Sequence, residues 1–269
     1  MSQSTSNQVI LQAKHLVKIY AQRSGKFGFG TTFVKALDDV SVSLTAGKTL
    51  AVVGESGSGK STLARCLLQL HPFDGGEVLF QGQNLAQLKG SALREVRQHL
   101  QMVFQDPFAS LNPRMKVGEI VGEGLLIHNK GSKLEQKQKV IAMLKRVGLT
   151  EADMQKYPHE FSGGQRQRIG IARALVLQPK VVVCDEPVSA LDVSIQAQIL
   201  LLLKELQAEM GLSYLFITHD LRVVRHIADD VMVMHQGKVV EQGSVADIYA
   251  NPQQEYTRSL LAAIPGKKH

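Results

Sequence analysis

Residues 9–20 and 34–44 alternate apolar and polar positions, the period of strands that bury one face. Ser24-Gly25-Lys26-Phe27-Gly28-Phe29-Gly30 separates them as a glycine-punctuated loop or hairpin. Residues 49–53 form an unbroken apolar run that fits a buried strand, and a helical pattern opens at Thr62. Further strands are predicted at 77–80 and 100–104, after which Gln105-Asp106-Pro107 breaks the pattern, because proline disfavours the helical region for its predecessor. From 117 to 147 the apolar positions (Ile120, Val121, Leu125, then Val140, Ile141, Leu144, Val147) recur at helical spacing, which predicts a mostly helical insert between β-rich halves. Strands at 180–184 and 213–218 flank a predicted helix at 194–210, the βαβ arrangement of a parallel sheet. Strands at 230–235 and 238–242 lead into helices at 245–250 and 254–262. No internal repeat interrupts this order, and the fold class that follows is α/β.

With 269 residues, 44% of them hydrophobic, the chain can bury a full core as one large domain or a core with a subdomain. The apolar run 199–203 is flanked by Gln198 and Lys204, far short of the roughly 18 to 20 residues that cross a bilayer. The polar start, residues 1–7, lacks the basic head and apolar centre of a secretory signal, so a cytosolic location is expected. Cys66 and Cys184 each sit in an apolar pattern without metal-ligand spacing and read as reduced core residues. The formal charge of +7 is dispersed, without a basic block or interleaved aromatics, and Trp is absent, which argues against a nucleic-acid partner.

The chemistry starts at Gly54-Glu55-Ser56-Gly57-Ser58-Gly59-Lys60-Ser61, placed between the strand at 49–53 and the helix at Thr62. Glycines at 54, 57 and 59 let backbone N–H groups converge on phosphate oxygens at the positive end of the following helix. Lys60 would reach the β- and γ-phosphates of a nucleotide, and Ser61 would offer its hydroxyl to a bridging Mg²⁺. A plain glycine-rich turn is the alternative. Residues 181–186 are an apolar strand ending in Asp185 and Glu186, and the carboxyl ends of strands in an open parallel sheet face the ligand crevice. Asp185 suits Mg²⁺, and Glu186 suits the activation of an attacking water; a solvated strand end is the bland reading. His219 follows a strand and could bond the γ-phosphate or position Glu186, although a lone histidine is more often structural. Gln105 also ends a strand, where its amide could ligate Mg²⁺ or the water, or simply occupy a loop. Phe161-Ser162-Gly163-Gly164-Gln165 offers a capping box, Ser162 with Gln165, at a glycine-rich helix start that could also take an anion.

Taken in order, the phosphate loop, Gln105, residues 161–165, residues 181–186, Ser189-Ala190-Leu191-Asp192 and His219 resemble the motifs of ATP-binding cassette (ABC) ATPases. The resemblance covers most of the chain, beginning at Tyr20, which is similar to the aromatic that stacks on adenine. It implies a P-loop NTPase core of RecA-like type over 45–105 and 166–242, with an N-terminal antiparallel β-subdomain. An α-helical subdomain would be inserted over 106–165 and a helical extension added over 243–269, all within a single ABC domain spanning 8–262. It implies ATP bound by Tyr20, by Gly54, Glu55, Ser56, Gly57, Ser58, Gly59, Lys60, Ser61 and Thr62, and by Ser162, Gly163, Gly164 and Gln165. Mg²⁺ would be held by Ser61, Gln105 and Asp185, with catalytic roles for Glu186, His219 and Gln105. Two cassettes would face head to tail, so that the 162–165 segment of one meets the γ-phosphate held by the other, with Ser189 and Asp192 crossing the interface.

Residues 105–114, 157–160, 188–200, 251–258 and 264–265 further resemble the dipeptide/oligopeptide and nickel importer ATPases. That likeness implies a subunit peripheral to the cytoplasmic face of the inner membrane. It would pair with a similar or identical ATPase and energise two integral-membrane permeases fed by a substrate-binding protein. Residues 105–117 and the helices after them would receive a permease helix. Nickel or antimicrobial-peptide uptake, export, and a soluble non-transport cassette stay open. Many relatives carry a longer tail past the final proline, whereas this sequence ends at His269.

Overall fold

A computed structural model describes residues 8–23 and 31–264; the loop expected at 24–30 and the residues beyond Ile264 lie outside the described residues. In chain order the elements are β1 (Val9–Arg23), β2 (Thr31–Thr45), β3 (Thr49–Val53), α1 (Lys60–Leu67), β4 (Gly75–Phe80), β5 (Gln83–Asn84), α2 (Gly90–Arg97), β6 (Leu100–Val103), α3 (Pro107–Ser110), α4 (Val117–Ile127) and α5 (Lys133–Arg146). They continue with α6 (Gly163–Leu175), β7 (Val181–Asp185), α7 (Val193–Met210), β8 (Ser213–Thr218), α8 (Leu221–Ile227), β9 (Asp230–His235), β10 (Lys238–Ser244), α9 (Val245–Ala250) and α10 (Glu255–Ala262). The chain divides into two compact units, one of Met1–Leu88 with Tyr214–His269 and one of Lys89–Ser213.

The first unit contains an antiparallel sheet in the order β2-β1-β4-β5. Its long β1–β2 pair shifts register at several points, and His15 and Asp39 flank the shifts in the left-handed region. The same unit carries β8-β3-β9-β10, in which β3 runs parallel to both neighbours and β10 closes the edge antiparallel. All five residues of β3 are buried, as its continuous apolar run requires. Ala51 and Val53 point to one face and pack with Val231, Val233, Val224 and residues of α9 and α10 such as Ile248 and Leu261. This packing fixes where β3 ends and hence where the glycine-rich turn begins.

That turn is pressed onto β9. A Cβ on Gly54, at φ +151°, would lie 2.1 Å from the Met234 carbonyl oxygen, so no other residue fits there without backbone movement. The β9–β10 turn braces the far side, since Gly237 N–H donates to Ser58 O at 3.0 Å and Asp38 N–H to Gly237 O at 2.8 Å.

The second unit pairs β6 with β7 in parallel, Leu100 opposite Val181 through Val103 opposite Cys184. Its helices bury most of the predicted positions, Ile120, Val121 and Leu125 on α4 and Val140 and Leu144 on α5, whereas Ile141 is only half-buried and Met143 is buried instead. The unit contains the whole segment 106–165 together with β6, β7, α6 and α7. Asp153, 8% exposed, ties one corner of it: its carboxylate accepts from Thr150 N–H at 2.8 Å, Thr150 Oγ1 at 2.7 Å and Lys156 Nζ at 2.7 Å.

Cys66 and Cys184 are buried free thiols, and burial pushes the Cys66 thiol up to about 11, which keeps it protonated and inert. No helix among the described residues is long and apolar enough to cross a membrane. The pattern placed the first helix at Thr62; it begins at Lys60, because the left-handed Gly59 at φ +104° forms its cap. Helices α2 and α8 were not anticipated: α2 buries no residue, and α8 is only seven residues long, too short for its buried Leu221, Val224 and Ile227 to establish a period.

Two outcomes follow. Gly54→Ala is expected to lose about 3 kcal/mol or more in denaturant unfolding, whereas Gly57→Ala, at φ +82° with open space around it, is expected to lose about 1 kcal/mol. The Lys156 ammonium beside Asp153 holds its carboxyl below the usual 3.8. Its stabilisation is therefore complete above that value and is lost as pH falls through the lowered one. Asp153→Asn is expected to cost about 1–2 kcal/mol at neutral pH and to narrow the gap to the parent in acid, as read from unfolding midpoints across the range.

Candidate active site

In the first unit the loop that follows β3 wraps around one side chain. Lys60 is 5% exposed, and its Nζ donates to Gly54 O at 2.8 Å, Glu55 O at 2.8 Å and Ser58 Oγ at 3.4 Å. An ammonium taken out of water costs several kcal/mol unless oxygens surround it, and here the loop's carbonyls do so. Ser58 is buried beneath the loop, whereas Glu55, Ser56 and Gly57 face solvent. Helix α1 starts through the left-handed Gly59, with no side-chain cap and no acidic residue in its first turn, so its own sequence adds no counter-charge at its positive end. Ser61 and Thr62 sit half-buried in that first turn.

Tyr20 lies near the end of β1. Its hydroxyl meets His71 Nδ1 at 3.0 Å, and Lys18 Nζ lies 5.3 Å from its ring centroid, so the ring is already held in place. His219 is exposed just past β8, next to a rigid corner where Asp220 caps α8 and takes the Arg222 guanidinium through three bonds of 2.7–3.1 Å. Arg222 holds the Asp220 carboxyl below its ordinary range. A cleft of 280 Å³ opens beside His219, lined also by Leu221, Leu260 and Ile264.

In the second unit the parallel register of β6 and β7 sets their carboxyl ends side by side, and this joins two residues far apart in sequence. Gln105 Nε2 donates to Glu186 Oε2 at 3.1 Å. Asp185, the last residue of β7, is 4% exposed, while Glu186 is half-buried. The Glu186 backbone is left-handed, at φ +46° and directly before Pro187, a conformation that costs about 1–3 kcal/mol. Ser189 holds it there, its N–H and Oγ both donating to Glu186 O at 3.2 and 3.0 Å. Gln196 pins the same loop by donating to Val188 O and Leu191 O, and Asp192 caps α7 through Ile195 N–H.

The expected capping box at α6 is present: Ser162 N–H donates to Gln165 Oε1 at 3.0 Å, and Gln165 N–H to Ser162 Oγ at 3.3 Å. Gly164 is required by packing, because a Cβ there would come within 2.6 Å of Ile195 on α7. Two arginines went unnoticed in the sequence. Arg166 donates to Pro158 O and lies 3.9 Å over the Phe108 ring, and the half-buried Arg173 donates to Ser110 O at 2.5 Å beside Phe104. Together they tie α6 to the segment that carries Gln105, and their seven-residue spacing along one helix face was the available signal.

The ABC transporter family model matches residues 37–189. The chain is 53% identical over 263 residues to the dipeptide transport ATP-binding protein DppF of Escherichia coli, covering 98% of this chain and 78% of that protein. It is 51% identical over 269 residues to the oligopeptide transport ATP-binding protein OppF of Haemophilus influenzae, covering 98% and 81%. A dimeric ATP-binding cassette solved in a post-hydrolysis state with ADP and Pi superposes with a TM-score of 0.77 at 29% identity, covering 88% of this chain and 99% of that one. The chain therefore belongs to the ABC transporter family, as an ATP-binding cassette that hydrolyses ATP.

Proposed function

We propose that this chain powers a membrane importer of dipeptides or oligopeptides. The observation that carries the proposal is its half-identity, over almost its whole length, with dipeptide and oligopeptide transport ATP-binding proteins. In this reading the chain docks peripherally on the cytoplasmic face of two integral-membrane permeases and pairs with an identical or similar ATPase. A substrate-binding protein delivers the solute. The helices after Gln105 pass the movement on to the permeases.

The residue roles follow from chemistry. Loop N–H groups and Lys60 take the phosphates, the ammonium trading its long Ser58 contact for a charge-assisted bond to phosphate oxygen while the Gly54 and Glu55 carbonyls keep it aimed. Tyr20 offers its ring to the adenine. Ser61, Gln105 and Asp185 present hydroxyl, amide and carboxylate oxygens, a donor set that fits a hard divalent cation such as Mg²⁺. When bound, that cation neutralises charge on the β- and γ-phosphates. Glu186 accepts the proton of the attacking water, Gln105 orients that carboxylate, and His219 bonds the γ-phosphate. Ser162, Gly163, Gly164 and Gln165 contact the triphosphate held by the opposing ATPase.

Glu186→Gln is expected to leave ATP binding intact and to lower phosphate release by about 10²-fold or more, measured with the purified chain. Equal release rates in parent and variant would remove the proposed base. In cells, replacing the parent gene with the Lys60→Ala form is expected to abolish uptake of labelled di- and oligopeptides and to leave nickel uptake unchanged. Retained peptide uptake with lost nickel uptake would reverse the assignment of solute.

A further inference from the structure

One peptide group in the phosphate loop is held at both ends. The peptide joining Gly54 to Glu55 presents its carbonyl oxygen to Lys60 Nζ at 2.8 Å and its N–H to the hydroxyl oxygen of Tyr256 at 3.3 Å. Because a peptide is planar with C=O and N–H pointing in opposite directions, whatever fixes one end fixes the other. Tyr256 comes from α10, more than two hundred residues later in the chain.

The anchor is well supported. The Tyr256 ring packs against His235, with centroids 4.1 Å apart, and His235 follows Met234, whose carbonyl confines Gly54. Burial raises the pKa of the Tyr256 phenol, so it stays protonated and its oxygen remains an acceptor for the Glu55 N–H. Helix α10 is itself fixed at its start, where the Glu241 carboxylate accepts Gln253 N–H at 2.7 Å and Gln254 N–H at 3.1 Å. Leu261 buries its far end in the cluster that also holds Ala51 and Val53 of β3.

We propose that Tyr256 is a positioning residue for ATP: through the Gly54–Glu55 peptide it sets the direction of the carbonyl that holds Lys60, and so keeps the phosphate loop in one shape before nucleotide arrives. This rests on the phosphate-loop reading above. A donated N–H polarises the peptide and makes its carbonyl a better acceptor, so the tyrosine hydroxyl, the peptide and the lysine act as one chain of bonds. Loss of the hydroxyl frees the peptide to rotate, and binding must then order it again.

The test is Tyr256→Phe in the full chain, which keeps the ring on His235 and removes only the oxygen. Its thermal midpoint is expected to match the parent. The KM for ATP and the directly measured ATP dissociation constant are expected to rise about three- to fivefold, with kcat within about twofold of the parent, the size of one modest hydrogen bond. An unchanged KM, or a fall in kcat at unchanged KM, overturns the proposal. Lys60→Ala is measured in parallel. If it loses ATP while Tyr256→Phe binds normally, only the role of Tyr256 fails; if it binds ATP as the parent does, the phosphate-loop reading fails and this proposal with it.

Discussion

The structure depends on the burial of one ammonium group. Lys60 sits beneath the loop after β3 with its charge satisfied by the carbonyls of Gly54 and Glu55, and this is possible only if the chain curls tightly enough to aim those carbonyls inward. The curl in turn requires Gly54, because the Met234 carbonyl occupies the space any Cβ would take. Met234 is placed by β9, β9 by its parallel pairing with β3, and β3 by the apolar cluster on which α9 and α10 also pack. A single charge thus makes demands on elements at both ends of the sequence.

Much of this was legible in the sequence, and the reasons differ by element. The continuous run at 49–53, the spacing at 117–147 and the terminal strands and helices were readable because each buries a regular stripe or a whole strand. The capping box at Ser162 was readable because it is local, with partners three residues apart. What escaped was tertiary. The Gln105–Glu186 bond exists only because β6 and β7 pair in parallel, and no periodicity encodes that pairing. Arg166 and Arg173 read as ordinary surface charges until Phe108 and Phe104 are seen beneath them. Tyr256 belonged to a stretch read only as a likeness to importer ATPases, and its contact with Glu55 spans most of the chain.

Strain is concentrated where chemistry is expected. Glu186 is held left-handed in front of a proline, and that cost is met by Ser189 clamping its carbonyl and by Gln196 fixing the loop beyond. The effect is to turn the glutamate off the strand direction, toward the Gln105 amide. Asp192 then starts α7 with a firm cap, so the loop between Glu186 and α7 has both ends fixed. A carboxylate intended as a base gains from such restraint, because a proton is accepted only from one direction and a freely rotating side chain spends most of its time elsewhere.

The two helix starts implicated in phosphate binding are built differently, and the difference bears on how a pair of cassettes would open and close. Helix α1 is entered through a left-handed glycine with no side-chain cap and no acidic residue in its first turn, so an incoming anion meets no capping side chain there and has the Lys60 charge beside it. Helix α6 is capped by its own Ser162 and Gln165, which already bond two of its terminal groups. An anion arriving at α6 must compete with that box, and the nearby Arg166 is already engaged with Pro158 O, His159 O and the Phe108 ring, so its attraction there is weaker than at α1. On the proposed reading, a triphosphate binds first and tightly to the loop before α1, and only then recruits the weaker α6 site of the opposing cassette. On that reading, losing the γ-phosphate would remove the group shared with the weaker site, and the closed pair would come apart without the nucleotide having to leave its own loop.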